Sequence, residues 1–366
     1  MIDVIDTGLI FRNPTPHLRA VHAWHPTIVR LSDGSLLAAF DLGQAVECLD
    51  YGTFVAQSHD DGRTWTPPKP LFRDCPMRPA RHTMRLSRVS MGKIVGFGAR
   101  RFYDFPDEGI FNRQTFGHVP MELLLISSSD EGRTWEGPRT IAPPLMGPFE
   151  ICHPVLELDD GRWLAPTSTL RNWEGKSPTG LKAVALVSYD RGASWPEFIT
   201  VMSSETDGVV YTEQSVIQLT DRRLLAVAWA LNEVERRSLP TPFALSDDGK
   251  TFGPQQLSGL AGETAKLLGL GDNRVLCVYR GASEPGLRAA VARIEGDRWK
   301  TIHELLLWRG SSSRILGHAS VAEEISSLKF GFPNLLQLPD GTIFVAFWCC
   351  EDCIFNIRWL RLRVQF

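Results

Sequence analysis

The sequence predicts an all-β fold, a six-bladed β-propeller of four-stranded antiparallel blades, and three observations lead there. A motif of the form S-x-D-x-G-x-[TS]-W occurs three times in full. Six apolar–turn–apolar runs alternate with copies of that motif. The 366 residues also hold 31 Gly and 24 Pro beside 11 Trp, the pattern of short strands joined by tight turns. Self-similarity at a regular period marks a repeat architecture, and hairpin units four strands deep close into a propeller.

The full copies of the motif run Ser58–Trp65, Ser128–Trp135 and Ser188–Trp195, with a looser copy at Leu245–Phe252 and a worn one at Arg293–Trp299. Each reads as a turn. The Asp carboxylate accepts backbone N–H groups, Gly supplies φ > 0, and Trp packs at the blade edge. The second repeat is a hairpin: PTIVRLSDGSLLAAF, MRLSRVSMGKIVGF, PVLELDDGRWLAP, SVIQLTDRRLLAVAW, AKLLGLGDNRVLCVY and NLLQLPDGTIFVAF. Asp-Gly between strand-like runs is a hairpin signal. Each unit is therefore hairpin, loop, strand, Asp turn, strand, and residues 1–366 form one domain. The sixth unit lacks a fourth strand after CIFNIRWLRLRVQF, and IDVIDTGLIF at the N-terminus is the spare one, expected to complete the last blade and close the ring.

Connectivity sorts the loops. With strands A to D running outward from the axis, the A–B and Asp turns fall on one face. The starts of the A strands and the B–C loops fall on the other, where functional groups are expected. The B–C loops are 41–52, 100–119, 170–180, 230–240, 280–287 and 349–353, and the longest, 100–119, is a candidate lid. Trp24, Trp173, Trp229 and Trp348 lie at or near this face, where core packing and sugar stacking compete.

A formal net charge of −3 gives no cationic field for nucleic acid. No apolar run approaches a membrane span, and the N-terminus shows no signal-peptide pattern, so a cytoplasmic location is expected. Cys349, Cys350 and Cys353 read as reduced thiols on a hairpin rather than a zinc site, because no further ligands accompany them. No cofactor is expected, the partner is a small-molecule or oligosaccharide substrate, and oligomeric state is open.

The Asp motifs and six units resemble the sialidase superfamily of BNR-repeat propellers. That resemblance implies an arginine triad that holds a carboxylate, a Tyr/Glu nucleophile pair and an Asp acid/base. Carried over by offset from the A–B turns, the first arginine becomes His25 in Trp24-His25-Pro26-Thr27, and the second becomes Trp229. The third matches Arg288 in Gly286-Leu287-Arg288-Ala289, and the assisting glutamate matches Glu213 in Thr212-Glu213-Gln214. The tyrosine becomes Phe332 in a stretch ending Leu338-Pro339-Asp340-Gly341, and the acid/base falls near Glu47 and Asp50. Two arginines and the tyrosine of the pattern are absent, and a phenyl ring is no nucleophile.

What remains is chemistry for another sugar. Glycoside hydrolysis commonly uses two carboxyl groups, and Glu213 with Glu47 or Asp50 forms the expected pair, assisted by His25. His22, His25, His82 and His153 open the first three blades, as general acid/base groups, metal ligands or partners of sugar hydroxyls. Register argues against convergence on a metal. His25 and Glu213 lie nine residues before their turn positions, His153 eight and His82 ten, and a one-residue offset reverses a side chain unless a bulge intervenes. Arg288 is the expected anion anchor, with Arg81, Arg85, Arg100 and Arg101 as an alternative clamp suited to a uronic acid. The expected substrate-binding set is Arg288, His82, Arg85, His153, Trp229 and Arg100. A glycoside hydrolase on an acidic or non-standard glycoside is the main reading. A uronate lyase with His or Tyr as base, or a non-catalytic glycan-binding propeller, are the rivals.

Overall fold

The computed structural model describes residues 1–46, 48, 50–72, 78–103, 109–204, 208–235, 237–282, 286–309 and 329–365. Its strands form six antiparallel sheets arranged as the blades of a propeller. Blade one contains His22–Arg30, Leu36–Gly43, Gly52–Ser58 and Lys69–Pro70 from the axis outward. Blade two contains Ala80–Arg88, Ile94–Phe102, Met121–Ser128 and Glu136–Ile141. Blades three to five follow the same order. Blade six is built from Phe330–Gln337, Ile343–Glu351 and Ile354–Val364, and the N-terminal strand Ile2–Phe11 pairs antiparallel with the last of these as its outermost strand. The ring is closed as the spare-strand argument requires.

The strand segments are short because each is one turn of a repeat, and each sheet is apolar on both faces because both are covered by neighbours. Among the described residues the core divides into six apolar layers, one between each adjacent pair of blades. Phe40 of blade one meets Phe344 and Trp359 of blade six in one layer, for example, and Phe97 of blade two meets Trp163 of blade three in another. Fully burying side chains of this size is worth about 1.5–3 kcal/mol each. Trp24 and Trp348 belong to the layer between blades six and one, so these two of the four loop-face tryptophans are packed rather than presented.

The Asp motifs fold as expected. Ser58 Oγ donates to Asp60 Oδ1 at 2.8 Å and accepts the Gly62 N–H at 2.9 Å. Asp60 in turn accepts the Thr64 N–H at 2.8 Å and its hydroxyl at 2.6 Å. The same bonds recur around Asp130 and Asp190. These hydrogen bonds, from the Thr64, Thr134 and Ser194 hydroxyls first, hold the three carboxyls down at about 2. In the looser fourth copy Asp248, not Asp247, accepts from Lys250 and Thr251, so that turn is one residue tighter than the alignment of the motifs suggests.

The axis is built by a second recurring device. The innermost strands of four blades each carry a register shift at the corresponding place: Trp24/Thr27, Thr212/Ser215, Glu263/Lys266 and Gly331/Asn334. Each bulge holds one non-glycine residue in the left-handed region: His25 (φ 51°), Glu213 (φ 48°), Thr264 (φ 51°) and Phe332 (φ 49°). Such residues cost roughly 1–3 kcal/mol each and gather at functional sites. Each lies nine residues before a left-handed turn position, Gly34, Arg222, Asn273 and Gly341. The innermost strand pair of blade two has no bulge, so His82 is out of step with His25.

The residues after the bulges cap free backbone N–H groups on the next blade. Asn334 Oδ1 accepts from Ile28, Thr27 Oγ1 from Leu86 and Ser215 Oγ from Leu267. His153 Nε2 does the same for Val216 at 3.3 Å. These bonds satisfy inner edges that would otherwise face the axis unpaired.

Candidate functional site

Phe332 marks the centre. Its ring is buried, and side chains of three other blades meet it: the His25 ring edge at 5.0 Å, the Arg85 guanidinium at 5.2 Å and the Lys266 ammonium at 4.9 Å. The position that the family resemblance reserves for a tyrosine is therefore an apolar post ringed by cations.

On one side of that post stands a linked group from blades one and two. His25 Nδ1 lies 2.7 Å from the Tyr51 hydroxyl and 3.3 Å from Asp41 Oδ2. Tyr51 donates to Asp41 at 3.1 Å, Thr53 Oγ1 donates to it at 2.6 Å, and Arg85 pairs with it at 2.9 Å. Because the Tyr51 proton goes to Asp41, its oxygen accepts from His25 Nδ1–H, and that tautomer leaves His25 Nε2 as an acceptor. Burial alone would raise the Asp41 carboxyl, but the Arg85 charge and then the His25 hydrogen bond outweigh it and hold the group well below the usual carboxylate range. Burial pushes His25 down, so its ring is neutral near pH 7, and burial with the Asp41 charge pushes the Tyr51 phenol far up.

On the other side, blades three and four bring two carboxyls together. The Glu213 backbone N–H donates to Glu150 Oε2 at 2.7 Å. Lys266 Nζ donates to the Glu213 and Gln214 carbonyls at 3.0 and 2.9 Å, which ties down the bulge that presents Glu213. Burial, and next the charge of Glu150, raise the Glu213 carboxyl to about 7, and its Oε2 has no hydrogen-bond partner. Burial raises Glu150 too, opposed by the Glu213 N–H and by Lys266. Two carboxyls this close do not ionise together easily, so the pair holds a proton at neutral pH.

A third group supports the second. Arg280 Nε donates to Glu263 Oε2 at 2.8 Å, and Ser238 Oγ donates to the other Glu263 oxygen. Trp229 Nε1–H donates to Ser238 at 3.0 Å, and Arg280 lies over the Trp229 ring at 5.2 Å. Trp229, expected as a sugar platform, is thus the floor beneath a guanidinium. His25, Arg101, Glu150 and Glu213 are half-buried members of the site.

Of the residues singled out from sequence, the structure brings His25, Arg85 and Glu213 to the axis. Others stand elsewhere. Arg288, the expected anion anchor, donates from Nε to Glu304 on the outermost strand at 2.7 Å. Arg100 pairs with Glu122 at 2.8 Å, and His82 stacks on Phe72 at 4.0 Å. His153 is locked between the Pro154 carbonyl and the Val216 N–H, and burial drives it down to about 3. The histidines therefore do not converge, and among the described residues no cluster of three His, Cys, Asp or Glu side chains suits a metal. Asp50, expected as acid/base, accepts the Gln44 N–H at 3.1 Å and the Cys48 thiol, and so closes its own loop. Glu47 lies outside the described residues. The candidate lid docks on blade three: His118 N–H donates to Arg171 O at 2.9 Å and Thr115 Oγ1 to Trp173 O at 2.6 Å. No helix is long and apolar enough to cross a membrane.

Sequence reasoning missed Asp41, Tyr51, Glu150, Glu263, Lys266 and Arg280. For Arg280 a signal exists: it lies in the second strand of blade five and pairs across from Glu263, the residue before the bulge, as Trp229 lies in that of blade four and pairs across from Thr212.

Residues 111–345, well over half of the chain, match the model of the BNR repeat-like domain. No curated protein matches the sequence. Solved structures share the fold. A protein of unknown function from Dyadobacter fermentans superposes with a TM-score of 0.78 at 20% identity, covering 100% of this chain and 99% of its own. The intramolecular trans-sialidase from Ruminococcus gnavus, solved with oseltamivir carboxylate, gives 0.68 at 12% identity over 97% of both chains. The NanB sialidase from Streptococcus pneumoniae, as its K499G mutant, gives 0.68 at 12% identity over 97% of this chain and 70% of its own.

Proposed function

This chain belongs to the BNR repeat-like family and carries the sialidase-superfamily propeller, and we propose that it hydrolyses a glycosidic bond with Glu213 and Glu150 as its working carboxyl pair. The observation that carries this reading is the bond from the Glu213 N–H to Glu150 Oε2 at 2.7 Å, which holds the Glu150 carboxyl against the backbone of Glu213, close enough for its charge to act on the Glu213 carboxyl. Glu213, raised to about 7, is the general acid: it keeps its proton near neutral pH and gives it to the leaving oxygen. Glu150, with Lys266 and a backbone donor favouring its charged form, is the carboxylate that attacks or activates water. Phe332 takes no part as a nucleophile, which separates this chain from the tyrosine mechanism that the resemblance implies. His25 assists from across the ring.

The test is turnover on a panel of 4-nitrophenyl glycosides and uronic-acid oligosaccharides. Glu213→Gln and Glu150→Gln should each lower kcat by about 10²-fold or more, with ligand affinity retained by calorimetry. Wild-type activity should fall as pH rises through about 7, as Glu213 loses its proton, and that limb should vanish in Glu213→Gln. Turnover undiminished in both variants would refute the assignment.

One observation favours a second reading. His25 Nε2, left as an acceptor by the Tyr51 and Asp41 bonds, is arranged as a base that removes a proton next to a uronate carboxylate. Elimination of that kind yields an unsaturated uronate with its own ultraviolet absorbance. Appearance of that band on incubation with a uronate glycan, and its loss in His25→Gln, would favour the lyase over the hydrolase.

A further inference from the structure

We propose that the inner hairpin of blade two, Ala80–Arg88 with Ile94–Phe102, carries an anion subsite, formed by Arg81, Arg85 and Arg101, that takes the carboxylate of a uronic-acid residue. The proposal rests on reading the axial cleft as a sugar site.

Arg81 and Arg101 stand directly opposite each other in the strand register, and Arg85 lies four residues along from Arg81 on the same face. Like charges directly opposite disfavour strand pairing, so the arrangement is not a folding device. Arg81 is buried, its Nη1 donates to the Val46 and Cys48 carbonyls at 3.1 and 2.9 Å, and its Nε has no acceptor. Among the described residues Arg101 makes one hydrogen bond, from Nη1 to Thr83 Oγ1 at 2.8 Å. Among the described residues Asp41 is the carboxylate that pairs with any of the three, and it is committed to Arg85. Burial and the neighbouring Arg81 charge bring Arg101 down to about 10, the mark of a guanidinium short of a counter-ion.

A buried charge without its partner is costly; among the described residues no carboxylate pairs with Arg81 or Arg101, and the partner inferred is an anion supplied from outside. A planar carboxylate fits, because guanidinium groups hold it through two parallel bonds. That the bearer is a sugar follows from the reading of the Glu150–Glu213 pair; Arg81 itself is held over the buried Tyr51 ring at 4.7 Å and the buried Tyr103 ring at 5.2 Å. The placement also serves the chemistry. Arg85 and Lys266 touch Phe332 from blades two and five, so the anion subsite and the Glu150–Glu213 pair stand on either side of one ring. Arg288, bound to Glu304, takes no part.

The experiment is calorimetric titration of the whole chain with sodium glucuronate, methyl glucoside and sodium sulfate. Glucuronate should bind, methyl glucoside at least ten-fold more weakly, and sulfate should not displace glucuronate. Arg101→Met should weaken glucuronate binding at least ten-fold, Arg101→Lys by an intermediate factor, and Arg288→Ala should bind as wild type does. Melting curves check that each variant is folded, and the wild-type preference for glucuronate over the glucoside stands as a test if Arg101→Met is not. No binding of glucuronate by wild type, equal binding by the Arg101 variants, loss of binding in Arg288→Ala or equal competition by sulfate would each overturn the subsite. Glucuronate binding with no cleavage of any uronide would sink the hydrolase reading and leave the subsite. Cleavage of a neutral glycoside without glucuronate binding would sink the subsite alone.

Discussion

The backbone N–H of Glu213 is bonded to the carboxylate of Glu150, so the residue that blade four presents at the axis is held by the residue that blade three presents beside it. One acid steadies the strained backbone of the other and, by its charge added to the larger effect of burial, raises that other acid's pKa. This has a cost that can be measured. The folded pKa of Glu213, about 7, exceeds the ordinary carboxylate value of 4.5. Folded protein therefore binds a proton that unfolded chain releases, and stability from this group falls as pH rises from about 4.5 through 7. Glu213→Gln should be close to wild type in Tm at pH 4.5 and more stable at pH 8, by on the order of 1–3 kcal/mol. An equal offset at both pH values would contradict the shift.

The Asp41–Arg85 pair is fully buried, and removal of one partner strands the other. Asp41→Asn should cost about 3–5 kcal/mol in urea denaturation. Arg85→Met in the same chain should recover part of that loss, and a double-mutant cycle would read the coupling directly. Additive losses would mean that the two charges do not depend on each other.

Gly117 is where the long loop of blade two touches blade three. A Cβ there would lie 1.8 Å from the Asn172 carbonyl oxygen, so Gly117→Ala must push the loop off its dock. Expected are a loss of about 1–3 kcal/mol and faster hydrogen exchange at the His118 amide, which the dock protects. Unchanged exchange at His118 would show that the loop holds by other contacts.

Deletion of Ile2–Phe11 should leave blade six with three strands and the edge of Ile354–Val364 exposed. Expected is a Tm lower by on the order of 10 °C, with aggregation on heating. A Tm equal to that of the full chain would show that this strand does not close the ring.

The propeller was legible because its determinants are local. Ser58, Asp60, Gly62 and Thr64 make their turn from one another, and the same spacing writes the turn again at Ser128 and Ser188. His25 and Glu213 were legible for a related reason: both stand nine residues before a turn, and the bulges make that count a rule of direction. Glu150 was not, because the innermost strand of blade three is only Leu156–Glu157 and pairing resumes beyond it at a single bridge, Phe149 to Thr169. Arg288 misled because offset along one strand says nothing of Glu304 on the next, which claims its guanidinium. Arg81 and Arg101 stood in sequence as members of an alternative clamp together with Arg100, and only the pairing of their strands shows which two stand face to face.

The four bulges have a wider meaning. At His25, Glu213, Thr264 and Phe332 the backbone conformation is the same while the side chains share no chemistry. The ring therefore behaves as a set of like sockets steadied by their neighbours, the Glu213 N–H by the Glu150 carboxyl and the Phe332 N–H by the Thr264 hydroxyl. An imidazole, a carboxyl, a hydroxyl and a phenyl ring have each been seated without altering the frame. The repertoire of reactions open to such a scaffold is then combinatorial, and a new one is reached by exchanging occupants rather than by refolding the ring.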